Sequence, residues 1–172
     1  GAQRTDTQNG ATASTIKEDQ DRGYSTNITN QGLDDKVVSS PGFCNDRNTA
    51  SGSNWVVSGT EFYYAPYERV YTTRQPSLQC SNNSDLYTTK VGLITADEVI
   101  LAGGRGGTNN TGYYLYTGQN YWTMSPYYFD DTFAGVFHVN SNGNFGYYLA
   151  NYAYGVRPVI NLSADVTISS GD

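Results

Sequence analysis

Between Gly106 and Val156 lie 51 residues with no lysine, arginine or glutamate, and they hold ten of the chain's 16 tyrosines. A segment whose only charged residues are Asp130 and Asp131, and that is so rich in rings, is the opposite of a disordered chain, which is poor in aromatics and rich in charge. Its short apolar pieces, set between turn formers, read as a run of strands. We expect strands at Tyr113–Thr117, Tyr121–Ser125, Ala134–Asn140, Asn144–Ala150 and Val156–Leu162. Asn140-Ser141-Asn142-Gly143 carries Asn-Gly and predicts a tight hairpin. Alternate side chains of a strand face opposite ways, so about half of the aromatics must form a core. Trp122, Phe137, Val139, Leu149, Val156 and Val159 are assigned to it.

Two helices flank this region in the reading. Thr95-Ala96-Asp97-Glu98 spells a capping box: the Thr95 hydroxyl takes the Glu98 amide, and the Glu98 carboxylate returns to the Thr95 amide. Val99, Ile100 and Ala102 supply an apolar face, and Gly103-Gly104 a left-handed stop. Gly106 and Gly107 make no dinucleotide fingerprint, because they follow a helix and the third glycine is missing. Ser14 caps a polar helix running to about Tyr24. Trp55-Val56-Val57 and Glu61-Phe62-Tyr63-Tyr64 look like strand fragments, and residues 66–89 look irregular. The expected organisation is a flexible lead-in over 1–13 and a single α+β domain over 14–168.

Charge removes several functions. Ten Lys and Arg against 16 Asp and Glu leave a net charge of −6, with no basic footprint for nucleic acid. No apolar run approaches the roughly 18–20 residues of a membrane span, so this fragment is not expected to insert into a membrane. Gly1-Ala2 without Met reads as the start of a trimmed fragment, its leader or anchor missing. Cys44 and Cys80 are compatible with one disulfide or with two buried thiols; their polar neighbours favour the disulfide and an oxidising compartment.

The ordered series Val91-Gly92-Leu93-Ile94-Thr95-Ala96-Asp97-Glu98-Val99, Tyr114-Leu115-Tyr116-Thr117-Gly118, Tyr121-Trp122-Thr123-Met124-Ser125-Pro126, Val136-Phe137-His138-Val139-Asn140 and Gly155-Val156-Arg157-Pro158-Val159-Ile160-Asn161-Leu162 resembles a domain of cell-surface and pilin-like proteins of gram-positive gut bacteria. That domain is similar in turn to the C-type-lectin-like fold of formylglycine-generating enzymes and of the variable proteins of diversity-generating retroelements. The resemblance covers roughly residues 41–168. It implies two helices around a small twisted antiparallel sheet with long irregular loops, and an extracellular or cell-surface location. Its ligand face would fall on Tyr127-Tyr128-Phe129-Asp130-Asp131-Thr132-Phe133 and on the stretch from Asn144 to Tyr154, including Tyr147, Asn151 and Tyr152. The Tyr, Asn and Ala mixture from Tyr147 to Tyr154 has the flavour of retroelement-diversified positions. The Glu-Pro-Asn, Gln-Pro-Asp and Trp-Asn-Asp triplets of calcium-dependent lectins are missing, and no cysteine follows Cys80. Neither calcium-mediated sugar binding nor formylglycine chemistry is therefore inherited.

Clustered Tyr with Asn, Ser and Gly is the composition of a paratope, in which rigid rings give contact area and small polar residues adapt. Asp130-Asp131 reads as a solvated loop rather than a metal site, and no cofactor is expected. His138 reads as a structural histidine, and Arg157 as the partner of a buried acid such as Asp97 or Glu98. The expected function is a non-catalytic, adhesin-like module that recognises a protein or glycan. The alternative is a pilin-like subunit whose aromatic face packs on neighbouring pilus subunits.

Overall fold

The computed structural model describes residues 14–53, 61–82, 86–130 and 132–167; Trp55-Val56-Val57 and Asp131 lie outside them. The order along the chain is α1 (Thr15–Asn27), β1 (Gly42–Cys44), β2 (Phe62–Tyr63), α2 (Ala65–Tyr67), β3 (Leu86–Thr88), β4 (Gly92–Leu93), α3 (Ala96–Leu101), β5 (Arg105–Gly106), β6 (Tyr121–Phe129), β7 (Ala134–Val139), β8 (Asn144–Leu149) and β9 (Pro158–Val159). The main sheet runs β2-β6-β7-β8-β5, and β1-β3 and β4-β9 form two small antiparallel pairs. The class is α+β. The sheet is mixed rather than purely antiparallel, because β5 joins β8 in parallel.

α1 and α3 start at their caps. Ser14 Oγ accepts the Lys17 amide, and the complete capping box at Thr95 and Glu98 opens α3. α1 is too polar to pack on an apolar stripe. It docks instead through Tyr24, which meets Val37 and Val91, and through Gln20, whose Nε2 donates to the Gly92 carbonyl at 2.6 Å. α3 buries Ala96 and Val99 against the inner face of the main sheet. That face carries Tyr121, Tyr127, Phe137, Val139 and Phe145, all buried. Side chains of this size stabilise by about 1.5–3 kcal/mol each on full burial.

The hairpin between β7 and β8 forms as expected. Asn140 O accepts the Gly143 amide at 2.8 Å, and Gly143 closes the turn in the left-handed region at φ 78°. A Cβ at Gly143 would also overlap the Asn110 carbonyl, so glycine is required there twice over.

Several expectations are corrected. Tyr113–Thr117 forms turns, not a strand: Tyr113 is tied down through its hydroxyl, 2.5 Å from that of Tyr121, and Tyr116 N donates back to Tyr113 O. The closing strand shrinks to Pro158–Val159, paired with β4, and Leu162 turns away to an isolated bridge with Val37. Val156, Leu149 and Val159 are half-buried, whereas Trp122, Phe137 and Val139 are core. Residues 65–72, in part read as irregular, form α2 and a π-turn (Glu68–Thr72), because Pro66 lies in a first turn where its missing amide costs nothing.

The helical segment delivers Arg69 to a buried ion network that the sequence reading assigned to Arg157. Arg69 Nε and Nη2 donate to the two Asp97 oxygens at 2.8 and 2.7 Å, and Nη2 also donates to Asp46 Oδ2 at 2.5 Å. Burial opposes the guanidinium charge, but the hydrogen bonds to Asp97 and Asp46 outweigh it and hold the Arg69 pKa above its ordinary value. Arg157 instead donates to the Leu115 carbonyl and lies over the Tyr121 ring. Beside the network Cys44 and Cys80 form a disulfide with Cα atoms 5.4 Å apart. Closing this loop, with its sequence separation of 36, stabilises by about 4 kcal/mol in the chain-entropy model.

Candidate functional site

The register of the sheet decides where the tyrosines go. Trp122 pairs with His138 across β6 and β7, and His138 pairs with Gly146 across β7 and β8. Tyr121, Phe137 and Phe145 face the inner core, so Trp122, His138 and Gly146 form a row on the outer face. Tyr148, two residues on from Gly146, shares that face.

After β8 the chain returns over this outer face. Ala150 N donates to the Ala134 carbonyl at 2.8 Å, beside the β6–β7 loop. Gly155 then docks along the start of β6, donating to Asn120 O at 2.9 Å and accepting from Trp122 N at 3.1 Å. A side chain at Gly155 would press on the Asn120 carbonyl, which explains the glycine at this close approach. The strap between these anchors carries Tyr152 and Tyr154. Tyr154 lies 4.7 Å from Trp122 and stacks on His138 at 5.2 Å between ring centroids. Tyr148 and Tyr152 meet at 4.5 Å and 82°, and Tyr154 is 5.8 Å from Tyr148 and 6.4 Å from Tyr152.

The result is a graded cluster. Trp122 and His138 are 2% and 3% exposed, Tyr154 is half-buried, and Tyr148 and Tyr152 are 39% and 48% exposed. The buried pair props the exposed rings. His138 Nε2 lies 2.8 Å from Asn140 Oδ1, and the Nδ1 atom is buried without a hydrogen-bond partner. Burial pushes the His138 pKa down, more than hydrogen bonding to Asn140 raises it, so the imidazole under the tyrosines is neutral at physiological pH. Hydrogen bonding with Tyr152 raises the Tyr148 pKa, so the Tyr148 phenol stays protonated.

The residues predicted to line a ligand face divide between the two sides of the sheet. Tyr127 and Tyr128 are corrected from surface to core: bulges after Trp122 and Pro126 turn them inward, and Tyr127 packs edge-on against Phe137 at 5.0 Å. Burial, reinforced by the surrounding tyrosines, drives the Tyr127 pKa upward. Tyr147 is exposed but belongs to the inner side, stacked on Tyr127 at 3.9 Å and 7°. Phe129 is half-buried, 5.8 Å from Phe62. Asp130 holds its own loop together, its Oδ1 accepting the amides of Thr132 and Phe133 at 3.1 and 2.7 Å. Thr132, Phe133 and Asn151 are exposed. Asn144 is half-buried with its Oδ1 shielded and unpartnered.

Sequence reasoning held Tyr148 only within the stretch from Asn144 to Tyr154, without singling it out, and missed the roles of Trp122 and His138 beneath it. Alternation along β8 was the available signal, since it separates Tyr148 from Tyr147. Among the described residues no group of three or more His, Cys, Asp or Glu is placed to hold a metal ion. No helix among them is long and apolar enough to cross a membrane. Comparison with protein-family models, with curated proteins and with solved structures returned no match for this chain.

Proposed function

We propose that the chain is a non-catalytic ligand-binding domain with a C-type-lectin-like fold, displayed outside the cell, that recognises a protein or glycan through the outer-face tyrosines. One observation carries the reading: Tyr148, Tyr152 and Tyr154 stand together on a rigid base of Trp122 and His138. Clustered exposed rings on a fixed scaffold bind at low entropic cost, since each ring has only two torsions to restrict. The Cys44–Cys80 disulfide fits an oxidising compartment.

The test is adhesion. Beads carrying the chain are compared with beads carrying Tyr148→Ser/Tyr152→Ser on intact bacterial and epithelial cells. Capture of one cell type, lost in the variant, supports the reading; equal capture by both proteins refutes it. Diversification of the strap has its own test at the gene locus. It requires a reverse transcriptase and a near-repeat of the coding segment that differs at adenines.

A further inference from the structure

The outer tyrosine cluster has a geometry and a charge setting that narrow its ligand. Tyr148 and Tyr152 stand nearly perpendicular and make a right-angled corner, with Tyr154 as a third ring beside it. The face of a tyrosine ring carries the negative lobe of its quadrupole and attracts a cation within about 6 Å of the centroid. This chain uses that attraction internally: Arg157 lies 5.4 Å over Tyr121, and Lys90 lies 5.4 Å over Tyr24. Among the described residues no cation of the chain lies over the three outer rings.

The charge setting agrees. The whole 51-residue segment that builds the cluster lacks any lysine or arginine, and the chain carries a net charge of −6. His138, which stacks on Tyr154 within the cluster, is held neutral by burial under the rings. A cation approaching this face therefore meets ring faces and an attractive long-range field, while the segment itself offers an anion no lysine or arginine.

We propose that the Tyr148–Tyr152–Tyr154 corner seats an arginine or lysine side chain presented by a partner protein. This assignment rests on the ligand-binding reading above and names the chemistry of its ligand. The planar guanidinium is the better fit, because it can stack on one ring face while its N–H groups reach the phenol oxygens.

The probe is a short oligo-arginine peptide, with its citrulline counterpart as a neutral control of nearly equal shape, titrated at low and at physiological ionic strength. The arginine peptide is expected to bind and the citrulline peptide not to. Tyr148→Leu/Tyr152→Leu keeps the net charge but removes two rings, and should weaken binding about 5- to 30-fold. Tyr148→Phe/Tyr152→Phe keeps the ring faces and should bind within a few-fold of the parent. Tyr152→Leu alone, at the most exposed of the three rings, serves if the double change impairs folding. Absence of arginine-peptide binding, equal binding of the citrulline peptide, or full binding by the leucine variants each overturns the proposal. A neutral oligosaccharide that binds the parent and is lost in the leucine variant overturns the cationic assignment and leaves the binding face standing. Unchanged cell adhesion by the serine variant removes the binding face itself.

Discussion

Replacing Arg69 with methionine would leave Asp46 and Asp97 buried without their cation. The two carboxylate side chains are 2% and 1% exposed, and the Arg69 side chain 15%, so solvent screens this network little. Among the hydrogen bonds between described residues, Asp97 would keep that from the Ser77 amide, and Asp46 those from the Ser81 amide and hydroxyl. Breaking a buried pair by removing one partner costs about 3–5 kcal/mol. At roughly 2–4 °C per kcal/mol for a chain of this size, the melting temperature should fall by about 6–20 °C. The assay is equilibrium unfolding in guanidinium chloride followed by tryptophan fluorescence, with the disulfide kept intact. Adding Asp46→Asn and Asp97→Asn to Arg69→Met should recover much of the loss, because neutral amides in the same places leave no buried charge. A deficit below about 1 kcal/mol at neutral pH, the range of an exposed surface pair, would refute the reasoning.

Two further outcomes are expected. Gly143→Ala should destabilise by about 1–3 kcal/mol, since it forces a side chain into the left-handed region and into the Asn110 carbonyl; a melting temperature within error of the parent would contradict the hairpin geometry. His138 has a folded pKa below its unfolded value near 6.5, so its contribution is fully present above that value and is lost as pH falls through the folded pKa. An NMR titration of the single histidine showing a midpoint at or above 6.5 would contradict its place beneath the tyrosines.

The parts legible in the sequence are those written in local chemistry. Thr95-Ala96-Asp97-Glu98 specified a helix start, Ser14 another, and Asn142-Gly143 a hairpin, because capping and turn signals act within four or five residues. The polar neighbours of Cys44 and Cys80 pointed to the disulfide that forms. The helical segment at Ala65 was obscured by Pro66, which marks a breaker inside a helix but is tolerated in a first turn. Arg69 drew no notice because its partners lie 23 and 28 residues away, a separation with no local signature.

For the tyrosines, the sequence determined how many there are, that lysine, arginine and glutamate are missing from the segment that holds most of them, and that strands would split them between two faces. It could not decide which half faces water. A one-residue shift in strand phase exchanges the faces, and the bulges after Trp122 and Pro126 make such shifts within β6, so Tyr127 and Tyr128 go inward. The outer cluster depends further on the strap that carries Tyr152 and Tyr154 from β8 back to β6, anchored by backbone bonds from Ala150 and Gly155. Those contacts join residues brought near only by the completed sheet. Alternation is a local rule, whereas the phase of the alternation and the path of the strap are set by packing across the whole fold.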